Sequence, residues 1–298
     1  MGRLIIRYSR CLLYLQSEMN KKSSFISYAL LKSGLAVARL IPNGALSGLL
    51  YIGLKASGYR SQVININLKA SFPYKEEHEI SQLRKLFYQN LAEVTVSQIK
   101  GAKGGTYKYD NTKVISELAN KHGAVLLLGS HYGCWEAAGK HITTLLPDLK
   151  QYVVYKKIRN RYVDEYLKGK RSDTVAIPIE MKLLQRVVLE NLKANIPSAY
   201  YLIADQYPSS PNNGVEVDFL GQKTLFVNGP EKLVDKLGLG AVYMDTVINE
   251  GEVNINLVPF QPQKSTMAQY AQLLEQQIKK APQHWLWSHK RWKNLKIY

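Results

Sequence analysis

Between residues 129 and 139 the chain reads GSHYGCWEAAG, which sets His131 directly behind the apolar run AVLLLG (124–129) and Glu136 five residues further on. An imidazole suits proton removal near neutral pH because its ordinary pKa lies close to 6.5. A carboxylate on its second nitrogen would fix the tautomer and stabilise the imidazolium that forms. Such a pair is a general base with an orienting acid. It needs no serine or cysteine nucleophile if the substrate brings its own hydroxyl.

The spacing alone carries little. Six His and 23 acids in 298 residues make about half of one such pair a chance expectation. Nor do i and i+5 stack on one helix face, since five steps turn about 500°. The two side chains meet only if His131 sits on a turn and Glu136 reaches back from the first turns of a following helix. Cys134, inside the same box, is the alternative nucleophile, with no independent feature to support it. His131, Glu136 and His141 are spaced five and five. Helix-borne zinc ligands need i, i+4, so no metal site is expected.

The surrounding pattern says how the box is presented. AVLLLG reads as a short buried strand and YGCWEAAGKHITTLL (132–146) as a helix. QYVVY (151–155), a helical pattern at 160–169 and the strand TVAIPI (174–179) follow. Next come the amphipathic helix KLLQRVVLENLKA (182–194) and a second buried strand, SAYYLIA (198–204). NGPEKLVDKLG (228–238) has the opening Asn-Gly-Pro and closing Gly of a helix; AVYMDTVI and VNINLVPF are strands, and 266–282 is a helix ended by Pro. Upstream, 76–100 carries apolar residues at Ile80, Leu83, Leu86, Phe87, Leu91 and Val94, spacings of three and four that mean an amphipathic helix, which GAKGG (101–105) breaks. Strands and helices in alternation predict an α/β fold: a central mixed, largely parallel sheet flanked by helices. In such a sheet ligands sit outside the carboxyl ends of strands. His131 lies two residues past one such end, which presents it to a cleft; Asp205 and Gln206 end another such strand, where the acid either supports catalysis or holds loops and pairs with a basic residue.

Charge and cysteine content narrow the class. The net charge is +17, and residues 1–72 hold ten Lys or Arg against one acid, Glu18. A second basic cluster spans 150–171, and the last twenty residues carry six basic side chains and no acid. Such an excess is either a solvated basic surface or a seat for an anionic partner, and with no helix-turn-helix, zinc finger or RNP signature a phospholipid surface ranks above nucleic acid as that partner. Two cysteines give no disulfide framework and fit a reducing compartment. The apolar stretches 25–42 and 44–60 are interrupted by Lys32, Arg39, Pro42 and Lys55. They suit helices lying in a membrane interface better than one spanning it, and no signal peptide is recognisable. The chain is therefore read as an N-terminal membrane-associating helical region, 1–58, and a domain at 59–298. Residues 1–18 read as an upstream extension, because MNKKSSFISY from Met19 has the look of a natural start.

HYGCWE is similar to the His-x4-Glu box of the bacterial lipid A biosynthesis late acyltransferases, the lauroyl/myristoyl transferases of the lysophospholipid acyltransferase-like group. Five further segments carry the resemblance: GYRSQVININLKASFP (58–73), YKKIRNRYVDEYLKGKR (155–171), YLIADQ (201–206), VDFLGQKTLFVNGPEKLVDKLG (217–238) and APQHWLWSHKRWK (281–293). Together they cover roughly 30–293 in order. Departures include Cys134, where the family often has Asn, and Pro230, Leu233 and Val234, where small residues are common. These bear on acceptor and chain length more than on reaction type.

The resemblance implies an enzyme peripheral to, or singly anchored in, the inner membrane at its cytoplasmic face. It would move a fatty acyl chain from an acyl carrier protein thioester to a hydroxyl of a lipid A precursor, without a bound cofactor. It further implies His131 as base with Glu136 beside it, Arg171 as a fork for a phosphate or developing oxyanion, Asn160 as its support, and Asp205 and Gln206 as supporting residues. An aminolipid, a lysophospholipid or a pigment alcohol as acceptor would need the same base, and a non-catalytic membrane- or carrier-binding relative is the competing class. The aromatic-basic tail with Trp285, Trp287 and Trp292 reads equally well as a membrane-interface belt or as core.

Overall fold

A computed structural model describes residues 28, 32–101, 106–157, 164–165, 169, 175–249, 252–295 and 297–298. The expectations for residues 1–18, Asn160 and Arg171, and most of the helical pattern at 160–169, fall outside them.

After a helical stretch at 32–40 come three helices, α1 (Asn43–Ala56), α2 (Ser61–Ser71) and α3 (Glu77–Lys100). The start of α3 is fixed by a capping box, in which Glu76 accepts from the third-residue N–H and Glu79 accepts from the Glu76 N–H at 3.0 Å. Then come β1 (Thr106–Asp110), α4 (Lys113–His122), β2 (Ala124–Gly129), α5 (Trp135–Ile142), β3 (Lys150–Tyr155) and β4 (Ile177–Glu180). They are followed by α6 (Leu184–Lys193), β5 (Ser198–Ile203), β6 (Gly214–Phe219), β7 (Gln222–Val227), α7 (Gly229–Leu237), β8 (Gly240–Asn249), β9 (Glu252–Pro259) and α8 (Thr266–Lys280).

Seven strands form one sheet in the order β1-β9-β8-β2-β5-β3-β4, and β6 and β7 form a separate antiparallel hairpin. Every neighbouring pair in the large sheet is parallel except β8 and β9. The mixed, largely parallel sheet expected from the sequence is therefore present. All six residues of β2 are buried, as a strand covered on both faces requires. Its side chains alternate between two cores. Ala124, Leu126 and Leu128 join Ile64 of α2, Phe87 of α3, Val188 of α6 and Tyr270 and Leu274 of α8. Val125 and Leu127 join Ile115 of α4 and Ala138 and Ile142 of α5.

The helix expected at 132–146 is shorter, starting at Trp135 and ending at Ile142 with a 3-10 turn at Thr143–Leu145. Gly133, at φ 55, keeps the preceding residues out of the helix. The strand at 174–179 also shifts, to Ile177–Glu180.

None of the described helices is long and apolar enough to cross a membrane. In α1, Leu46 is buried, whereas Leu49 and Ile52 are exposed. The tail settles the choice between belt and core: Trp285, Trp287 and Trp292 are all buried in the main core.

Candidate active site

The register of two neighbouring strands builds the site. β2 and β5 run parallel with Leu128 opposite Leu202 and Gly129 opposite Ile203. The ladder continues one residue further, the Ala204 N–H donating to the Gly129 carbonyl at 3.2 Å. Two steps beyond each strand therefore stand His131 and Asp205, side by side although 74 residues apart.

Their contact is bidentate. Asp205 Oδ1 lies 2.6 Å from His131 Nδ1, and Oδ2 accepts the His131 backbone N–H at 2.8 Å. Oδ2 also accepts the indole N–H of Trp285 at 2.9 Å. Burial alone would raise the Asp205 carboxyl. The charge and two hydrogen bonds of His131, joined by the Trp285 donor, outweigh it and bring Asp205 down to about 2. An ionised carboxylate only accepts, so Nδ1 carries a proton, and whenever the ring is neutral Nε2 holds the lone pair. Gln206 Nε2 stands 3.3 Å from that lone pair. His131 is partly accessible while Asp205 is buried, the arrangement expected of a base that meets substrate and an orienting group that does not. Trp135, the first residue of α5, meets the His131 ring edge-to-face at 5.0 Å.

The turn that carries His131 is held from four sides. Tyr270 of α8 donates its hydroxyl to the Gly129 carbonyl at 2.8 Å, pinning the end of β2. Tyr132 forms an isolated antiparallel bridge with Trp285. Around it the Gly133 N–H donates to the His284 carbonyl at 2.9 Å, and the Leu286 N–H to the His131 carbonyl at 3.0 Å. The Tyr132 hydroxyl donates to the Ala281 carbonyl at 3.0 Å. A Cβ on Gly133 would lie 2.3 Å from Ile248 Cδ1, so both space and backbone angle reserve this position for glycine.

The segment after α8 is thus part of the site, and it is anchored in turn. Asn67 of α2 donates to the carbonyls of Trp287 and His289 at 2.7 and 2.8 Å. The Trp292 indole donates to Thr224 Oγ1 at 2.7 Å. Arg291 is buried, with Nη1 donating to the Leu225 carbonyl at 2.7 Å and its guanidinium 4.2 Å from the Phe226 ring. The ring face takes the place of hydrogen bonds for Nε and Nη2, which have no partner among the described residues. Burial pushes Arg291 down to about 10 and His289 down to about 4, while the charge of Asp205 favours the cation in each.

Of the residues singled out in the sequence, the structure brings His131, Asp205 and Gln206 together. Glu136 stands exposed on the first turn of α5, and the carboxylate against Nδ1 is that of Asp205. Trp285, which completes the carboxylate's coordination, was legible only as an aromatic in the tail. Burial raises the Cys134 thiol above its ordinary range, which leaves little thiolate at neutral pH. Among the described residues no group of His, Cys, Asp and Glu is placed to hold a metal ion.

No curated protein matches the chain. Residues 17–294 match the family model described as bacterial lipid A biosynthesis acyltransferase. That span takes in both strands of the site, the His131 turn and all but the end of the tail, and the chain accordingly belongs to this family and is an acyltransferase.

Proposed function

We propose that the protein moves a fatty acyl chain from an acyl carrier protein thioester to a hydroxyl of a lipid A precursor, with His131 as general base and Asp205 as its orienting carboxylate. The observation that carries this reading is the 2.6 Å contact of Nδ1 with an ionised, buried Asp205, which leaves Nε2 of a partly accessible ring as the acceptor. The acceptor hydroxyl takes the place of the Gln206 amide at Nε2. As its oxygen attacks the thioester carbonyl, its proton passes to Nε2, and Asp205 stabilises the imidazolium. The tetrahedral intermediate then expels the thiolate, and the imidazolium returns the proton to that sulfur. No acyl-enzyme is required, in line with the raised Cys134 thiol.

Glu136 adds negative charge at the N-terminal end of α5, a second carboxylate favouring imidazolium formation in the box. Arg171 serves as the fork for a substrate phosphate or the oxyanion, with Asn160 supporting it. A +17 chain is drawn to each expected partner: the acidic carrier protein, the phosphorylated acceptor and the cytoplasmic face of the inner membrane. Residues 1–58 provide the membrane-associating region.

The test is incubation with acyl carrier protein thioesters, the matching coenzyme A thioesters and a panel of lipid hydroxyl acceptors, read by mass spectrometry. Acylation of the lipid A precursor from the carrier protein supports the proposal. Turnover only with coenzyme A, or only on an aminolipid, lysophospholipid or pigment alcohol, overturns its donor or acceptor half.

A further inference from the structure

Helices α1, α2 and α3 enclose a cavity of about 330 Å³, none of whose lining residues belongs to the His131 site. Its polar lining includes Lys55, Arg84 and Lys85 with Ser61 and Ser81, and no acidic side chain. Among the described residues none of the three cations has an ion-pair partner. Nearby acids are already matched elsewhere, Glu77 with Lys69 and Glu79 with Lys75. Arg84 is instead held by neutral acceptors, Asn65 Oδ1 at 3.2 Å and Ser81 Oγ at 3.5 Å. Such contacts aim the guanidinium but leave its charge uncompensated. The amino-terminal end of α2 opens at the same place, at Ser61, with no side-chain cap, and adds partial positive charge. Three cations, two hydroxyls and a helix start around one small cavity fit a phosphate group.

The surface beside the cavity tells what carries that phosphate. Leu49 and Ile52, on the same helix as Lys55, are 59% and 62% exposed, and Tyr59 just beyond is 42% exposed. Val37 and Leu40, in the helical stretch 32–40, are exposed as well. An apolar edge next to a cationic cavity matches the acyl-to-headgroup boundary of a bilayer.

We propose that this cavity binds the headgroup phosphate of an anionic phospholipid, seated from a membrane whose acyl region Leu49 and Ile52 enter. The proposal rests on the membrane association proposed above and is independent of the His131 chemistry.

The experiment is flotation of the full chain with phosphatidylglycerol or phosphatidylcholine vesicles, for the unmodified protein, Lys55→Gln/Lys85→Gln and Lys55→Arg/Lys85→Arg. The Gln pair is expected to bind phosphatidylglycerol vesicles roughly 30-fold more weakly, since each lysine near an anionic surface contributes roughly fivefold. The Arg pair should bind as the unmodified protein does, and acyl transfer to a detergent-dispersed acceptor should persist in both. Equal flotation of all three proteins overturns the cavity proposal, whereas failure of the unmodified protein to float overturns the membrane association beneath it. Release from vesicles by millimolar inorganic phosphate, but not by chloride of equal ionic strength, makes free phosphate the ligand and overturns the lipid assignment. So does loss of carrier-protein binding in the Gln pair with vesicle binding intact.

Discussion

Replacing Asp205 by Asn tests the site through the tautomer of His131. The carboxylate accepts three N–H donors: His131 Nδ1 on Oδ1, and the His131 backbone N–H and Trp285 Nε1 on Oδ2. Asparagine offers one accepting oxygen and one NH₂ group. Two fixed donors converge on the Oδ2 position, so the amide oxygen is drawn there and the NH₂ turns toward Nδ1. Nδ1 must then accept, which moves the ring proton to Nε2, where the base is needed. The shape and two of the three hydrogen bonds survive, so the fold should hold while the reactive tautomer is disfavoured. Loss of the correct tautomer and of the imidazolium's counter-charge together cost roughly 10³–10⁴ in rate, about 4–5.5 kcal/mol of barrier. Single-turnover transfer from a carrier-protein thioester reads the chemical step, and carrier-protein binding followed separately should be unchanged. A rate within tenfold of the unmodified enzyme would refute the tautomer argument.

Further outcomes follow from the same contacts. Trp285→Phe keeps the edge-to-face ring contacts with Phe219 and Trp287 but removes a donor to a buried carboxylate; about 1–3 kcal/mol of stability should be lost in denaturant melts, with a smaller rate loss than in Asp205→Asn. Gly133→Ala forces a side chain to φ 55 and into Ile248; it should lose about 1–3 kcal/mol, and Ile248→Ala in the same chain should restore only part. Cys134→Ser should transfer at nearly the unmodified rate, and intact-mass measurement with donor alone should show no adduct; an acyl adduct on Cys134 would contradict the mechanism. Half-buried His289 and buried Asp205, both with lowered pKa values, predict acid sensitivity in sequence. His289, at about 4 when folded, binds its proton in the unfolded chain first, so its contribution is whole above about pH 6.5 and lost toward pH 4. Asp205, at about 2, contributes above about pH 4 and loses that contribution as pH falls toward 2. Denaturant midpoints across pH should therefore fall in two stages, and His289→Asn should shrink the first, leaving the share of His284, which burial also lowers.

The parts of the fold visible in the sequence are those with strong local patterns. AVLLLG and SAYYLI are continuous apolar runs and became the two central strands. The 76–100 periodicity became α3 with its start fixed by charged caps. β1, TYKYD, was missed because it is an edge strand with three of its five residues exposed and little apolar content. The His131–Asp205 pair was out of reach for a different reason. Each residue could be placed past the end of a strand, but which strands neighbour each other depends on sheet order, and β2 sits between β5 and β8 rather than beside a strand adjacent in sequence. The local candidate, Glu136, was visible because it is five residues away; the carboxylate on Nδ1 comes from 74 residues away. The tail was ambiguous for a similar reason, since tryptophans and arginines look alike in a membrane belt and in a core until Thr224, Leu225 and Asn67 are found beneath them.

The most direct test of the account is single-turnover acyl transfer by His131→Ala. With the base removed, and no nearby group able to replace it, the rate should fall roughly 10²–10⁴-fold. Carrier-protein and vesicle binding should remain, since the basic surface and α1 are untouched. Transfer at the unmodified rate would contradict the account, leaving the turn between β2 and α5 without a part in the chemistry.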